Sequence, residues 1–104
     1  MKFSLYVNQK QAIALGLSSI NQAHIFDFLT GAASWAAPIL IDGEVFYWVH
    51  RKIVADEMPL LKLKPETIYR HLKSLELLGL INYKKQGKKD CINLTEKGKS
   101  YYCP

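Results

Sequence analysis

The chain has little of the chemistry from which enzymes and metal sites are built. Among its 104 residues are 2 cysteines, 4 prolines and 3 histidines, and no cysteine or histidine pair stands at metal-ligand spacing. A glycine-rich phosphate loop and a nucleophile elbow are both missing from the sequence. We therefore expect a protein that is not an enzyme and that carries no cofactor and no metal.

Long apolar runs are also missing. The most apolar stretch, residues 28–41, is too short to span a bilayer and contains Gly31 and Pro38. The N-terminus has no apolar run of signal-peptide length and no small-residue cleavage site. These absences predict a cytoplasmic protein with no membrane partner, in which Cys91 and Cys103 stay unpaired thiols.

What the chain does contain is enough apolar material for one core and an uneven distribution of charge. A length of 104 residues with 49% apolar residues predicts a single domain, residues 1–104. Residues 1–61 carry four basic and five acidic residues, whereas residues 62–104 carry ten basic and four acidic ones. This asymmetry favours a polyanionic partner, although a solvated lysine-rich surface would carry the same charge.

The first third of the chain predicts an arm and a long helix. Residues 1–17 form the predicted N-terminal arm, which includes a short helix that Gly16 stops. Residues 18–36 are predicted to form the central scaffold helix, because its apolar residues cover a wide arc and Ser19 and Gln22 have capping-box spacing.

A short strand and a helix follow. Residues 45–49 are β-branched and aromatic, and they come after a turn signal at Asp42 and Gly43, so a strand is predicted. Residues 50–58 are predicted to be the first helix of a helix-turn-helix, with Val49, Ile53 and Met58 facing inward and Pro59 ending the helix.

Residues 64–79 give the strongest helix signal. Pro65 suits the first helical position, and Gly79 suits the C-terminal cap. Ile68, Leu72, Leu75 and Leu78 recur at helical spacing and form one apolar stripe.

The rest of the chain predicts a lysine-tipped hairpin and a short tail. Residues 80–94 form two strands around a connection that contains Gly87, and this hairpin is the predicted wing. Residues 95–104 are predicted to be a C-terminal helix and linker. The fold class is therefore mainly α with a small β-hairpin (α+β), a winged helix-turn-helix, in which residues 64–79 are the recognition helix.

The polar face of the recognition helix, together with the wing, forms the predicted interface with double-stranded DNA. Arg70 suits a bidentate contact to guanine, Glu66 suits cytosine, and the lysines suit phosphates. The predicted DNA-binding residues are Lys64, Glu66, Thr67, Tyr69, Arg70, Lys73, Ser74, Lys84, Lys85, Lys88 and Lys89.

Each of these residues also has a simpler interpretation. Arg70 and Lys73 would equally solvate an exposed helix face, and Glu66 would compensate the helix dipole. Tyr69 would serve as an aromatic at the edge of the core, and His71 as a packed polar residue. The aromatic residues 46–48 suit a stacking platform for single strands, but core packing is favoured for them. A basic helix followed directly by a basic hairpin favours the DNA interpretation.

The segment 45–98 resembles the N-terminal winged-helix domains of phage, plasmid and mobile-element replication initiators. An aromatic strand precedes a helix that ends in Met58-Pro59, then come Thr67-Ile68-Tyr69-Arg70 and Gly79-Leu80-Ile81. Residues 94–98, Leu-Thr-Glu-Lys-Gly, are also similar to the end of the wing in MarR-like regulators. The chain departs from the family at His50, where a serine-type N-cap is usual.

The resemblance implies origin or operator binding through Thr67, Arg70, Lys73 and the wing lysines. Origin recognition by a replication initiator is the first hypothesis, with replication partners expected if the chain belongs to a longer initiator. A winged-helix transcriptional regulator and a protein-interaction module without DNA binding are the alternatives. A homodimer is also an open alternative, with residues 3–17 as the candidate arm.

Overall fold

Helices and one antiparallel sheet alternate along the chain in the computed structural model, which describes residues 7–101. In chain order the elements are α1 (Gln9–Ala14), α2 (Ile20–Thr30), α3 (Ala32–Trp35), β1 (Ala37–Ile41), β2 (Glu44–Trp48), α4 (Arg51–Glu57), a 3₁₀ turn (Pro59–Leu61), α5 (Pro65–Leu77), β3 (Ile81–Gln86), β4 (Lys89–Leu94) and α6 (Glu96–Lys99). The predicted α+β class and the winged helix-turn-helix architecture are confirmed.

The sheet has four strands in the order β1-β2-β4-β3, and all its pairs are antiparallel. The wing is the β3–β4 hairpin, in which Tyr83 lies opposite Ile92. β2 joins β4 where Tyr47 also lies opposite Ile92, and β2 leads directly into α4. The wing is therefore continuous with the strand that precedes the helix-turn-helix.

The strand predicted at 45–49 lies at 44–48, and its partner β1 was not predicted. Pro38, which interrupts the most apolar stretch of the sequence, lies within β1, opposite Tyr47. β1 is at the edge of the sheet, where a proline can be accommodated although it has no N–H for the ladder.

The scaffold helix predicted at 18–36 is two helices that are separated at Gly31. Its predicted start is confirmed, because the Ser19 side chain accepts a hydrogen bond from the Gln22 N–H at 3.1 Å. At the end of α2 the Gly31 N–H donates to the Phe28 carbonyl, three residues back. This tighter turn ends α2, and the shorter α3 begins at Ala32.

The core lies between α2, α5 and the inner face of the sheet. The apolar stripe predicted for the recognition helix is confirmed at its centre, where Ile68, Leu72 and Leu75 are fully buried, while Leu78 is half-buried. Against it pack the buried side chains of α2, among them Ile25, Phe26 and Leu29.

The helix-turn-helix consists of α4 and α5, which pack against each other. Their bounds, Arg51–Glu57 and Pro65–Leu77, lie one or two residues inside the predicted 50–58 and 64–79. Pro59 ends α4 as predicted but also begins the 3₁₀ turn that leads to α5.

The buried face of α4 and its N-terminal cap can be compared with the sequence interpretation. The residue of α4 that faces the core is Val54, which is fully buried, whereas Ile53 is 40% exposed. Of the three residues predicted to face inward, Val49 and Met58 are confirmed as buried, each 1% exposed, and Ile53 is not. Val49 and Met58 flank the helix, so their burial does not set which side of α4 faces the core. His50 occupies the N-cap and makes no side-chain capping bond, so the departure from a serine-type cap leaves this helix start unsatisfied by its side chain.

The C-terminal segment predicted at 95–104 begins with α6 and then returns to the core. Tyr101 had been assigned to a linker, yet its ring is 1% exposed and lies edge-on to Phe26 at 5.4 Å. Residues 1–6 and 102–104 lie outside the described residues, and with them the first four residues (3–6) of the predicted dimerisation arm and Cys103. Within residues 7–101, no helix has the length and apolar character needed to cross a membrane.

Candidate nucleic-acid interface

The outer face of α5 carries the polar residues that were predicted to contact DNA. Because Ile68, Leu72 and Leu75 point into the core, Glu66 and Arg70 lie on the opposite, exposed side of the helix. Lys64 is exposed at the N-cap position, and Thr67 is half-buried on the shoulder of the helix.

Tyr69 is the point at which α4, α5 and the wing meet. The Arg51 guanidinium carbon lies 4.7 Å from the centre of the Tyr69 ring, and the Lys85 Nζ lies 5.9 Å from it. Tyr83 of β3 contacts the same ring edge-on at 6.2 Å. Tyr69 is thus more than an aromatic at the edge of the core, because its ring supports two of the cations on this surface.

Asp90 lies beneath these cations and is 3% exposed. Its carboxylate accepts hydrogen bonds from Arg51 Nε at 2.6 Å and Arg51 Nη2 at 3.1 Å, from Lys85 Nζ at 3.4 Å, and from the Tyr83 hydroxyl. One buried carboxylate therefore connects α4, β3 and β4.

Burial and hydrogen bonding together set the pKa values of Asp90, Tyr83 and Arg51. Burial alone would raise the pKa of Asp90, but hydrogen bonds from Arg51 and Tyr83 and the nearby positive charges hold the pKa below its ordinary value. Burial, followed by the hydrogen bond to Asp90, raises the pKa of Tyr83. The hydrogen bond to Asp90 also raises the pKa of Arg51, so the pair is ionised at neutral pH.

Lys73 extends the same face along α5. Its Nζ lies 2.9 Å from Glu76 Oε1 and 4.8 Å from the centre of the Tyr83 ring. The hydrogen bond to Glu76 raises the pKa of Lys73. Its side chain remains 43% exposed, so the charge is available to a partner.

The four wing lysines do not share one face. Lys85 points towards α5, because side chains alternate along β3 and Lys85 follows the direction of Tyr83. Lys84 points the other way, with its Nζ 2.9 Å from Asp42 Oδ2 in the β1–β2 turn. Lys89 places its Nζ 4.6 Å from the centre of the Trp48 ring, and Lys88 lies exposed in the turn.

A shallow concavity of about 320 Å³ separates the start of α4 from the wing. Its basic lining comes from both sides, with Arg51 from α4 and Lys85 and Lys88 from the hairpin. The remaining lining residues are Trp48, Val49, His50 and Asp90. The concavity continues the basic face away from α5.

Other residues weighed in the sequence interpretation lie at the margins of this surface. Ser74 is half-buried, and its hydroxyl accepts a hydrogen bond from Gln22 Nε2. His71 is also half-buried, and that burial lowers its pKa, as expected of a packed polar residue. Of the aromatic residues 46–48, only Phe46 is fully buried, whereas Tyr47 and Trp48 are half-buried.

Arg51, Tyr83 and Asp90 are the members of the surface that sequence reasoning missed. Arg51 lies in the half of the chain without excess positive charge, and Asp90 stands in the lysine-rich hairpin as one acid among bases. Pairing the strands about a two-residue turn at Gly87 would have placed Lys85 opposite Asp90, as the structure does. The contact from Arg51 depends on how α4 packs and had no signal in the sequence.

Comparison with known proteins gives one structural relationship. No family model matches the chain, and no curated protein matches it. A solved structure described as the N-terminal domain of a DNA binding protein is similar with a TM-score of 0.50 over 92% of this chain and 75% of that chain. The two share a fold. Their sequences are 17% identical, so the similarity concerns the fold alone.

Proposed function

We propose that this chain binds double-stranded DNA, with the outer face of α5 in the major groove and the wing on the adjacent backbone. The observation that carries the proposal is the position of Arg70, Lys73 and Lys85, which lie on neighbouring parts of one exposed face formed by α5 and β3. Asp90 is buried beneath that face, whereas Glu66 lies on it and Glu76 pairs with Lys73. The description of the structurally similar domain as part of a DNA binding protein supports the same function.

We propose different roles for the predicted residues according to where they lie. Arg70 and Glu66 face outward on α5 and are placed to meet base edges, with Thr67 beside them. Lys64, Lys73, Lys85 and Lys88 are placed to meet phosphates, which supply most of the affinity and fix the register. Tyr69 positions Arg51 and Lys85, which lie over its ring.

Three of the predicted residues are less favourably placed. Lys84 is paired with Asp42 on the other side of the hairpin, and Lys89 covers Trp48. The Ser74 hydroxyl is engaged by Gln22. These three residues therefore have secondary roles in the proposed interface.

The proposed biological role is origin recognition by a replication initiator of a mobile element. It is supported by the sequence resemblance over residues 45–98, which includes the strand, both helices of the helix-turn-helix and the wing. A transcriptional regulator would use the same surface, so the sequence that the protein prefers distinguishes the two roles. The proposal assigns the chain binding and no catalysis.

The test is fluorescence anisotropy with a labelled random-sequence duplex over a series of salt concentrations, with a matched single strand as the control. We expect duplex affinity to fall on the order of ten-fold or more between low and physiological salt, because released counterions drive the binding. Selection from a randomised duplex library then identifies the preferred site and its place in an origin or a promoter. Absence of duplex binding at low salt would overturn the proposal and favour a protein-interaction module.

A further inference from the structure

Asp90 is a buried acid in the part of the chain that carries the excess positive charge. For a protein that attracts a polyanion through its general charge, a carboxylate at this place is unfavourable, because it neutralises one of the cations above it. Its burial also needs compensation, which the hydrogen bonds from Arg51, Tyr83 and Lys85 supply. The arrangement therefore costs attraction for DNA and calls for another explanation.

The donors to Asp90 are the same residues that contact Tyr69 of α5. Arg51 lies over the Tyr69 ring from the α4 side, Lys85 approaches it from the wing, and Tyr83 meets its edge. One carboxylate thus fixes the start of α4 and the edge strand β3 of the wing against the same side chain of α5. Without the negative charge, the two cations would repel each other and these contacts would loosen.

We propose that Asp90 is a positioning residue that improves discrimination between DNA sequences and lowers the general attraction for DNA. It holds the wing and α4 in one arrangement relative to the outer face of α5. Phosphate contacts from the wing and base contacts from Arg70 then form in a single register. Contacts to the DNA backbone support the reading of bases by fixing this register. This inference rests on the proposed binding of duplex DNA.

The decisive comparison is between Asp90→Asn and Asp42→Asn. Both substitutions remove one negative charge, keep the side-chain shape and free a wing lysine from an ion pair, Lys85 in one case and Lys84 in the other. Asp42 is exposed, and asparagine tolerates its left-handed backbone (φ 51°). Each variant is measured by anisotropy against a random duplex and against the site that the wild-type protein selects.

We expect both variants to bind the random duplex at least as tightly as the wild type, because each has gained a net positive charge. In Asp90→Asn the ratio of selected-site to random-duplex affinity falls by roughly ten-fold, within the range that separates specific from non-specific binding. In Asp42→Asn the same ratio stays within about two-fold, since its lysine lies away from α5.

Equal ratios in the two variants would overturn the inference, because Asp90 would then act only through its charge. If the wild-type protein binds no duplex, the proposed function itself is contradicted. If it binds duplex but the two variants show the same ratio, only the role of Asp90 is contradicted. Circular dichroism checks that each variant is folded. If Asp90→Asn does not fold, Tyr83→Phe replaces it, since this variant removes one hydrogen-bond donor to Asp90 without changing the charge. We then expect a lower ratio of selected-site to random-duplex affinity, with the random-duplex affinity unchanged.

Discussion

Gln22 of α2 and Ser74 of α5 are joined by a hydrogen bond in which Gln22 Nε2 donates to Ser74 Oγ over 2.9 Å. Gln22 is 2% exposed, and its Oε1 accepts from the Ser18 N–H at 2.9 Å, so both ends of the amide are bonded. This polar bridge crosses the apolar contact between the scaffold and recognition helices. Because hydrogen bonds are directional, it fixes how α5 is turned and which residues face outward.

We expect Ser74→Ala to lower the free energy of unfolding by about 1–2 kcal/mol, because a buried amide donor loses its partner. Duplex affinity changes by less than about two-fold, since the outer face of α5 is retained. Urea denaturation and anisotropy measure the two effects. Ser34→Ala, at an exposed hydroxyl of α3, is the control, with an expected change below about 0.5 kcal/mol. Lost affinity with unchanged stability would place Ser74 in the DNA contact.

Removing Arg70 and Lys73 together tests the recognition face directly. We expect the double alanine variant to lose roughly ten-fold or more in affinity for the selected site, with a salt dependence shallower by about one phosphate contact. The charge-matched control replaces Lys10 of α1 and Lys99 of α6, which are exposed on other elements. Equal affinities for the two double variants would contradict the proposed interface.

Lys84 and Lys85 are neighbours in sequence that face opposite sides of the wing. Lys85 approaches Tyr69 of α5, whereas Lys84 pairs with Asp42. We expect Lys85→Ala to weaken duplex binding by several-fold and Lys84→Ala to weaken it by less than about two-fold, because only Lys85 lies on the proposed face. Anisotropy under identical salt measures both. An equal loss in the two variants would indicate binding through general charge.

Local signals in the sequence were sufficient for much of the fold. The stripe from Ile68 to Leu75, the cap at Ser19 and the turn at Gly87 each depend on residues a few positions apart, and the structure confirms them. The split at Gly31 was missed because the helical spacing of apolar residues continues across it. The strand around Pro38 was missed because a neighbouring strand decides whether a breaker ends an element. Local spacing carries no information about that neighbour.

The candidate site was predictable to a similar degree. The outward direction of Arg70 follows from the apolar stripe on the same helix. The contact between Arg51 and Asp90 joins residues 39 positions apart and depends on how α4 packs against the hairpin. Strand alternation predicts that Lys84 and Lys85 point in opposite directions. Which of the two side chains points towards α5 depends on how the hairpin packs against the helices.

The lowered pKa of Asp90 predicts a stability that depends on pH. Burial alone would raise this pKa, and the hydrogen bonds from Arg51 and Tyr83 more than reverse the effect. A carboxyl whose folded pKa is depressed stabilises the protein above its unfolded pKa, about 3.9, and the contribution is lost as the pH falls through the folded pKa.

Asp90→Asn is therefore expected to be less stable than the wild type at pH 7, by about 1–3 kcal/mol, because the buried ionic hydrogen bonds are weakened. The difference persists down to about pH 5 and narrows below about pH 4. Urea denaturation of both proteins from pH 7 to pH 3 measures it. A difference that stays constant through this range would show that the charge of Asp90 does not stabilise the fold.

Gly98 of α6 packs so closely against the backbone of Leu80, just after the recognition helix, that no larger residue fits. An added Cβ would lie 2.1 Å from the carbonyl oxygen of Leu80 and 3.1 Å from its carbonyl carbon. The same carbonyl accepts the Thr95 N–H at 3.2 Å, and Thr95 Oγ1 in turn accepts the Gly98 N–H at 3.0 Å. An alanine would push α6 away and break this connection between the end of α5 and the end of the wing.

We expect Gly98→Ala to lower the free energy of unfolding by about 3 kcal/mol, because backbone atoms must shift to relieve the overlap. The matched control is Gly87→Ala in the wing turn, where φ is +62° and, apart from Gly87 and its two chain neighbours, none of the described residues lies within 4 Å of the added methyl group. That variant carries only the cost of a left-handed alanine, about 1 kcal/mol. Urea denaturation compares the two, and a loss in Gly98→Ala no larger than that in Gly87→Ala would contradict the close packing of α6. Because Thr95 and Gly98 belong to the Leu-Thr-Glu-Lys-Gly segment that follows the wing, this result would also explain why a glycine stands at the end of that segment.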